Sequence, residues 1–98
     1  MVDELFASAQ LVPQGPAGWT NYLPNPGGRV YVLESDGEVV YIGQDPHGAA
    51  QRLHASYGQP DGGLWAYWAL TNVPTIAEAK MLSWFRRKFN QLPRGNYV

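Results

Sequence analysis

The clearest pattern in the chain begins at Arg29. Residues 29–43, RVYVLESDGEVVYIG, place β-branched and aromatic side chains in two runs on either side of Asp36-Gly37. Such runs around an Asp-Gly pair predict a β-hairpin, because glycine accepts the positive φ that a tight turn of matching twist requires. Two registers are open to it. A two-residue turn pairs Val32 with Tyr41 and sends Tyr31 and Tyr41 to opposite faces. A three-residue loop, Ser35-Asp36-Gly37, pairs Glu34 with Glu38 and Tyr31 with Tyr41. The second register is preferred, since it sets the tyrosines side by side; two facing glutamates at the solvent end cost only roughly tenths of a kcal/mol.

Downstream, LWAYWALT (64–71) alternates again and predicts a third strand, with Leu64, Ala66, Trp68 and Leu70 on one face and Trp65, Tyr67, Ala69 and Thr71 on the other. Between these strands AAQRLHASY (49–57) has helical spacing, with Ala49, Ala50, Leu53 and Tyr57 apolar and Arg52 beside them. Thr75-Ile76-Ala77-Glu78 has the spacing of a capping box and opens a helix with a stripe at Ala79, Leu82, Phe85 and Phe89, which Pro93 and Gly95 end. Residues 1–28 divide into a short helix, DELFASAQL, and a Pro/Gly-rich wrap, with Trp19 and Tyr22 as its anchors. The expected architecture is α+β: a three-stranded antiparallel sheet flanked by helices over 29–98, with 1–28 as an N-terminal helix and wrap.

Composition narrows the chemistry. At 98 residues the chain suits one domain, and 45% hydrophobic against 15% charged residues is a globular balance. It has no cysteine, which removes disulfides, thiolate metal sites and thiol nucleophiles, and two histidines are too few for a multi-histidine centre. The long uncharged stretch from Phe6 to Gly28 is interrupted by proline and glycine, so no membrane span is expected and the chain is read as soluble and cytoplasmic. The net charge of −1 hides an asymmetry: residues 1–79 hold two cations against eight acids, whereas Lys80, Arg86, Arg87, Lys88 and Arg94 follow with no acid at all. Such a basic end is a candidate face for a polyanion, with a solvated helix face as the plainer alternative.

The order of these elements resembles the GIY-YIG nucleases. The residues that carry the resemblance are Arg29-Val30-Tyr31, an unaltered Tyr41-Ile42-Gly43, Arg52 on the following helix, Glu78-Ala79 at the start of the last helix, and Pro93-Arg94-Gly95-Asn96 as the closing P-x-x-N, all in family order. The resemblance implies phosphodiester hydrolysis with one Mg²⁺ or Mn²⁺, Tyr31, Tyr41 and Arg52 acting on water and phosphate, and Gly43, Glu78 and Asn96 as structural positions. Those residue types suit phosphoryl chemistry, which needs positioned donors and positive charge near the non-bridging oxygens. The plainer alternative for Tyr31 and Tyr41 is an aromatic cross-strand pair.

The pattern departs from the family where the metal would bind. The family's metal glutamate stands five residues after the Glu78 position, and here that residue is Ser83, a neutral hydroxyl and a weak ligand for a hard cation. Asp45, close after Gly43, is the one nearby replacement. His54 falls about 200° round the helix from Arg52 and so does not share its site, and His47 has no assigned task. Lys80, Arg86 and Arg87 surround Ser83 at i−3, i+3 and i+4, a patch that can hold phosphate by cations alone. The leading expectation is a nucleic-acid-binding domain, DNA ahead of RNA, with hydrolysis impaired or lost. The alternatives are an active Mg²⁺-dependent endonuclease with a relocated ligand, and a protein-interaction module using Trp65, Tyr67 and Trp84.

Overall fold

The structure is a computed structural model and describes residues 1–17, 28–45 and 64–96. The predicted helix carrying Arg52, His47, His54, Trp19 and Tyr22 lie outside the described residues. The elements run α1 (Val2–Ser8), β1 (Gln14–Ala17), β2 (Arg29–Ser35), β3 (Glu38–Asp45), β4 (Leu64–Leu70), α2 (Pro74–Phe89) and a closing 3₁₀ turn (Arg94–Asn96). All strand pairings are antiparallel and the order is β1-β4-β2-β3. The three long strands are those of the expected sheet. The fourth, β1, comes from the segment read as a wrap and pairs with β4 at one edge.

The hairpin departs from the preferred register in a way that keeps its consequence. Its turn has two residues, not three: Asp36 and Gly37 both have positive φ, 51° and 80°, and Ser35 faces Glu38. Glu34 therefore opposes Val39 rather than Glu38. Between Leu33 and Glu34 the register shifts, so that Leu33 opposes Tyr41, and Val40 is the extra residue of a β-bulge. Beyond it Tyr31 opposes Gly43, not Tyr41. The bulge restores by one inserted residue the parity that the shorter turn had changed, and both tyrosines end on one face.

Strand alternation divides the core into two layers. Val30, Val32, Val39, Ile42 and Ala69 face both helices, meeting Val2, Leu5 and Phe6 of α1 and Ala77, Met81 and Phe85 of α2. Tyr31, Leu33, Val40 and Ala66 face the other way, with Tyr41 and Trp68 packed against them. A seven-residue helix is too short to persist alone in water, so α1 is held by burial. Leu5 and Phe6 are fully enclosed, worth about 1.5–3 kcal/mol each. The start of segment 1–28 thus belongs to the same core as the sheet.

In α2 the buried stripe is Ala77, Met81 and Phe85, whereas Ala79 and Phe89 of the predicted stripe are exposed. The predicted capping box does not form. The helix starts at Pro74, whose fixed φ suits a first helical position, with Val73 as N-cap and no side-chain cap bond. Asn90 ends it in the left-handed conformation, its N–H bonded to the Arg86 carbonyl at 2.8 Å. Arg86, Arg87 and Lys88 occupy the last turn, where the helix dipole favours cations. Among the described residues no helix is long and apolar enough to cross a membrane.

Candidate functional site

Tyr31 and Tyr41 come from neighbouring strands and stack with ring centroids 6.0 Å apart and planes 23° apart. Tyr31 is buried and Tyr41 half-buried. Tyr31 opposes Gly43 in register, and its ring occupies the space a side chain there would fill. A Cβ at position 43 would lie 2.5 Å from Tyr41 Cε1 and 2.8 Å from the Tyr31 hydroxyl oxygen. Glycine in the YIG triplet is thus a requirement of close approach. On the other side of β2, Trp68 pairs with Tyr31, and its indole Nε1 is a buried donor with no hydrogen-bond partner among the described residues.

Asn96 holds the triplet from outside. Its side-chain oxygen accepts from the Ile42 N–H at 3.0 Å and its amide donates to the Ile42 carbonyl at 2.8 Å. The side chain therefore takes the part of a neighbouring strand along the outer edge of β3, where backbone groups would otherwise be open to pairing. A residue more than fifty positions away thus holds the centre of the Tyr41-Ile42-Gly43 triplet.

The glutamate of the predicted capping box has another partner. Gln44 Nε2 donates to Glu78 Oε1 at 3.4 Å, and the Thr75 hydroxyl donates to Gln44 Oε1 at 3.1 Å. Gln44 is thus the tie between the end of β3 and the first turn of α2. Burial raises the Glu78 pKa above the ordinary carboxylate value, partly offset by the bond from Gln44. On the far side of the sheet from the tyrosines, burial and then the nearby Glu34 carboxylate raise the Tyr67 phenol, which donates to Glu34 at 3.4 Å. Tyr67 and Trp84 are packed against the core, and Trp65 is the exposed member of the aromatic trio.

Ser83 is exposed and two residues past the fully buried Met81, hence about 200° round the helix and turned away from the sheet. The tyrosine pair lies on the sheet face opposite α2, so Ser83 is not brought beside it. Instead Ser83 lines a groove of about 500 Å³ with Lys80, Arg87, Ile76, Ala79 and Ser8 of α1. A divalent cation does not fit there: the only oxygens among these side chains are hydroxyls, and two cations flank them. Arg94 lines a different groove, of about 380 Å³, with Phe85, Phe89 and Pro93. Arg86 lines neither. Lys88 is engaged with Glu4 at 3.3 Å, which holds the Glu4 pKa down, and lies 5.1 Å from the Trp84 ring centre.

Tyr31, Tyr41, Gly43 and Asn96 are therefore gathered around β3, Lys80, Ser83 and Arg87 form a second patch, and Arg94 lies apart. Arg29 is buried at the start of β2, opposite Asp45 in register. Among the described residues no group of three or more His, Asp or Glu side chains is arranged to hold a metal ion. The sequence does not single out Gln44 and marks Trp68 only as a strand residue; the strand register is what places them beside the tyrosines and α2. No family model, curated protein or solved structure matches this chain.

Proposed function

We propose that this chain is a nucleic-acid-binding domain of the GIY-YIG type in which metal-dependent phosphodiester hydrolysis is impaired or lost. The observation that carries the reading is the gathering of Tyr31, Tyr41, Gly43 and Asn96, drawn from two distant stretches of sequence, around one strand. A phenolic hydroxyl can donate to a phosphate oxygen, and the half-buried Tyr41 is the more accessible of the pair, with the buried Tyr31 stacked against it. At position 83 the chain offers a hydroxyl between two cations, a setting that attracts phosphate rather than a hard cation. DNA is the favoured ligand, and localisation in the cytoplasm belongs to the same proposal.

The test pairs binding with cleavage. Labelled DNA should bind with an affinity that falls steeply as salt rises, and supercoiled plasmid incubated with Mg²⁺ or Mn²⁺ should stay intact. Nicking that EDTA abolishes would show an active nuclease whose ligand has moved, with Asp45 and Glu78 as the carboxylates to replace. Failure to bind DNA at any salt concentration would remove the nucleic-acid reading and leave the exposed Trp65 as the start of a protein contact.

A further inference from the structure

We propose that the groove between α1 and α2 docks the phosphate backbone of duplex DNA on the face of the molecule away from the tyrosine pair. This rests on the nucleic-acid reading above and assigns that reading a second surface. Lys80 and Arg87 are exposed, seven residues apart on one side of α2, and both line the groove. At 1.5 Å per residue they stand about 10 Å apart along the axis, so they meet separate phosphates. The Ser83 hydroxyl lies between them as a neutral donor.

Charge around the groove favours an anion. From Lys80 onward the sequence has no acid, and neither Lys80 nor Arg87 has an acidic partner among the described residues. Glu4 on the facing helix is already shared by Lys88 and the N-terminal amine, which leaves its charge balanced locally. The rest of the lining is Ile76, Ala79 and Ser8, with no aromatic ring among the described residues. Sites for single strands supply rings on which bases stack, whereas a duplex presents phosphates and sugar edges that cations and small apolar side chains can meet. The groove therefore suits a duplex.

The experiment is fluorescence anisotropy with a short labelled DNA duplex of mixed sequence, and with one of its strands alone, across a salt series. Lys80→Ala with Arg87→Ala should flatten the logarithmic salt dependence by about two units, at roughly 0.9 per phosphate contact. The charge-preserving pair Lys80→Arg with Arg87→Lys should keep the parent slope, and Arg94→Ala, in the other groove, should keep most of it. A double alanine variant with the parent slope overturns the groove while leaving the binding domain standing, and tighter binding of the single strand overturns the duplex assignment. A parent protein that binds neither probe overturns the groove and the proposed function together.

Discussion

Gly43→Ala tests whether the YIG glycine is there for the tyrosines. On an ordinary strand, replacing glycine by alanine stabilises by about 0.4–1 kcal/mol, because the unfolded chain loses freedom. Here the new methyl would lie 2.5 Å from Tyr41 Cε1 and 2.8 and 2.9 Å from the Tyr31 hydroxyl oxygen and Cζ, all closer than real contacts allow. Both rings must move, and Tyr31 has little room, being only 3% exposed. Overpacking of this kind costs about 1–3 kcal/mol, so the net effect should be a loss of roughly 1–2 kcal/mol. In a 98-residue chain that lowers Tm by about 5–10 °C. Thermal unfolding followed by circular dichroism measures it, and near-ultraviolet ellipticity reports whether the stacked rings have separated. A double-mutant cycle with Tyr31→Val isolates the cause: most of the loss should vanish once the Tyr31 ring is gone. A Gly43→Ala variant as stable as the parent, with its tyrosine ellipticity intact, would refute the close-approach argument.

Two further predictions concern the supports of the site. Asn96→Ala removes both hydrogen bonds to the Ile42 peptide and should cost about 1–3 kcal/mol in urea unfolding; an unchanged midpoint would mean that solvent replaces the clamp at no cost. Because burial raises the Glu78 pKa, its contribution to stability is fully present below the unfolded-state carboxylate pKa and is lost as pH rises through the folded value. Glu78→Gln, which keeps an acceptor for Gln44, should therefore unfold at a higher temperature than the parent at neutral pH. The gap should close as the medium is made acidic, and a variant less stable at neutral pH would contradict the burial assignment.

What the sequence made legible depended on how local the determinant was. Alternation in 29–43 and 64–70 identified three strands, and LWAYWALT sorted its residues onto the correct faces, since period two needs no knowledge of partners. The hairpin register did not follow, because a bulge at Val40 leaves no mark in a run of β-branched residues. In α2 the spacing of Ala79, Leu82, Phe85 and Phe89 was as helical as that of Ala77, Met81 and Phe85, and only docking on the sheet decides between them. Thr75 and Glu78 had the right spacing for a cap, yet Pro74 had already started the helix and Gln44 took both side chains. The position of Ser83 relative to the tyrosines was likewise set by which side of α2 meets the core. Strand β1 was hidden because QGPA has neither alternation nor β-branching, and its pairing depends on the free edge of β4.

The single extra residue in β3 acts as a parity switch for the whole molecule. Residues before the bulge are counted from the turn, and those after it from a frame displaced by one. Were Val40 instead paired with Leu33 in an uninterrupted ladder from Asp36-Gly37, Tyr41 and Gly43 would come round to the helices and Ile42 to the place the tyrosines now hold. Asn96 would then meet a different peptide, and Gln44 would face away from Thr75 and Glu78. One unpaired residue thus determines which side of the sheet carries the tyrosine pair and which meets the helices.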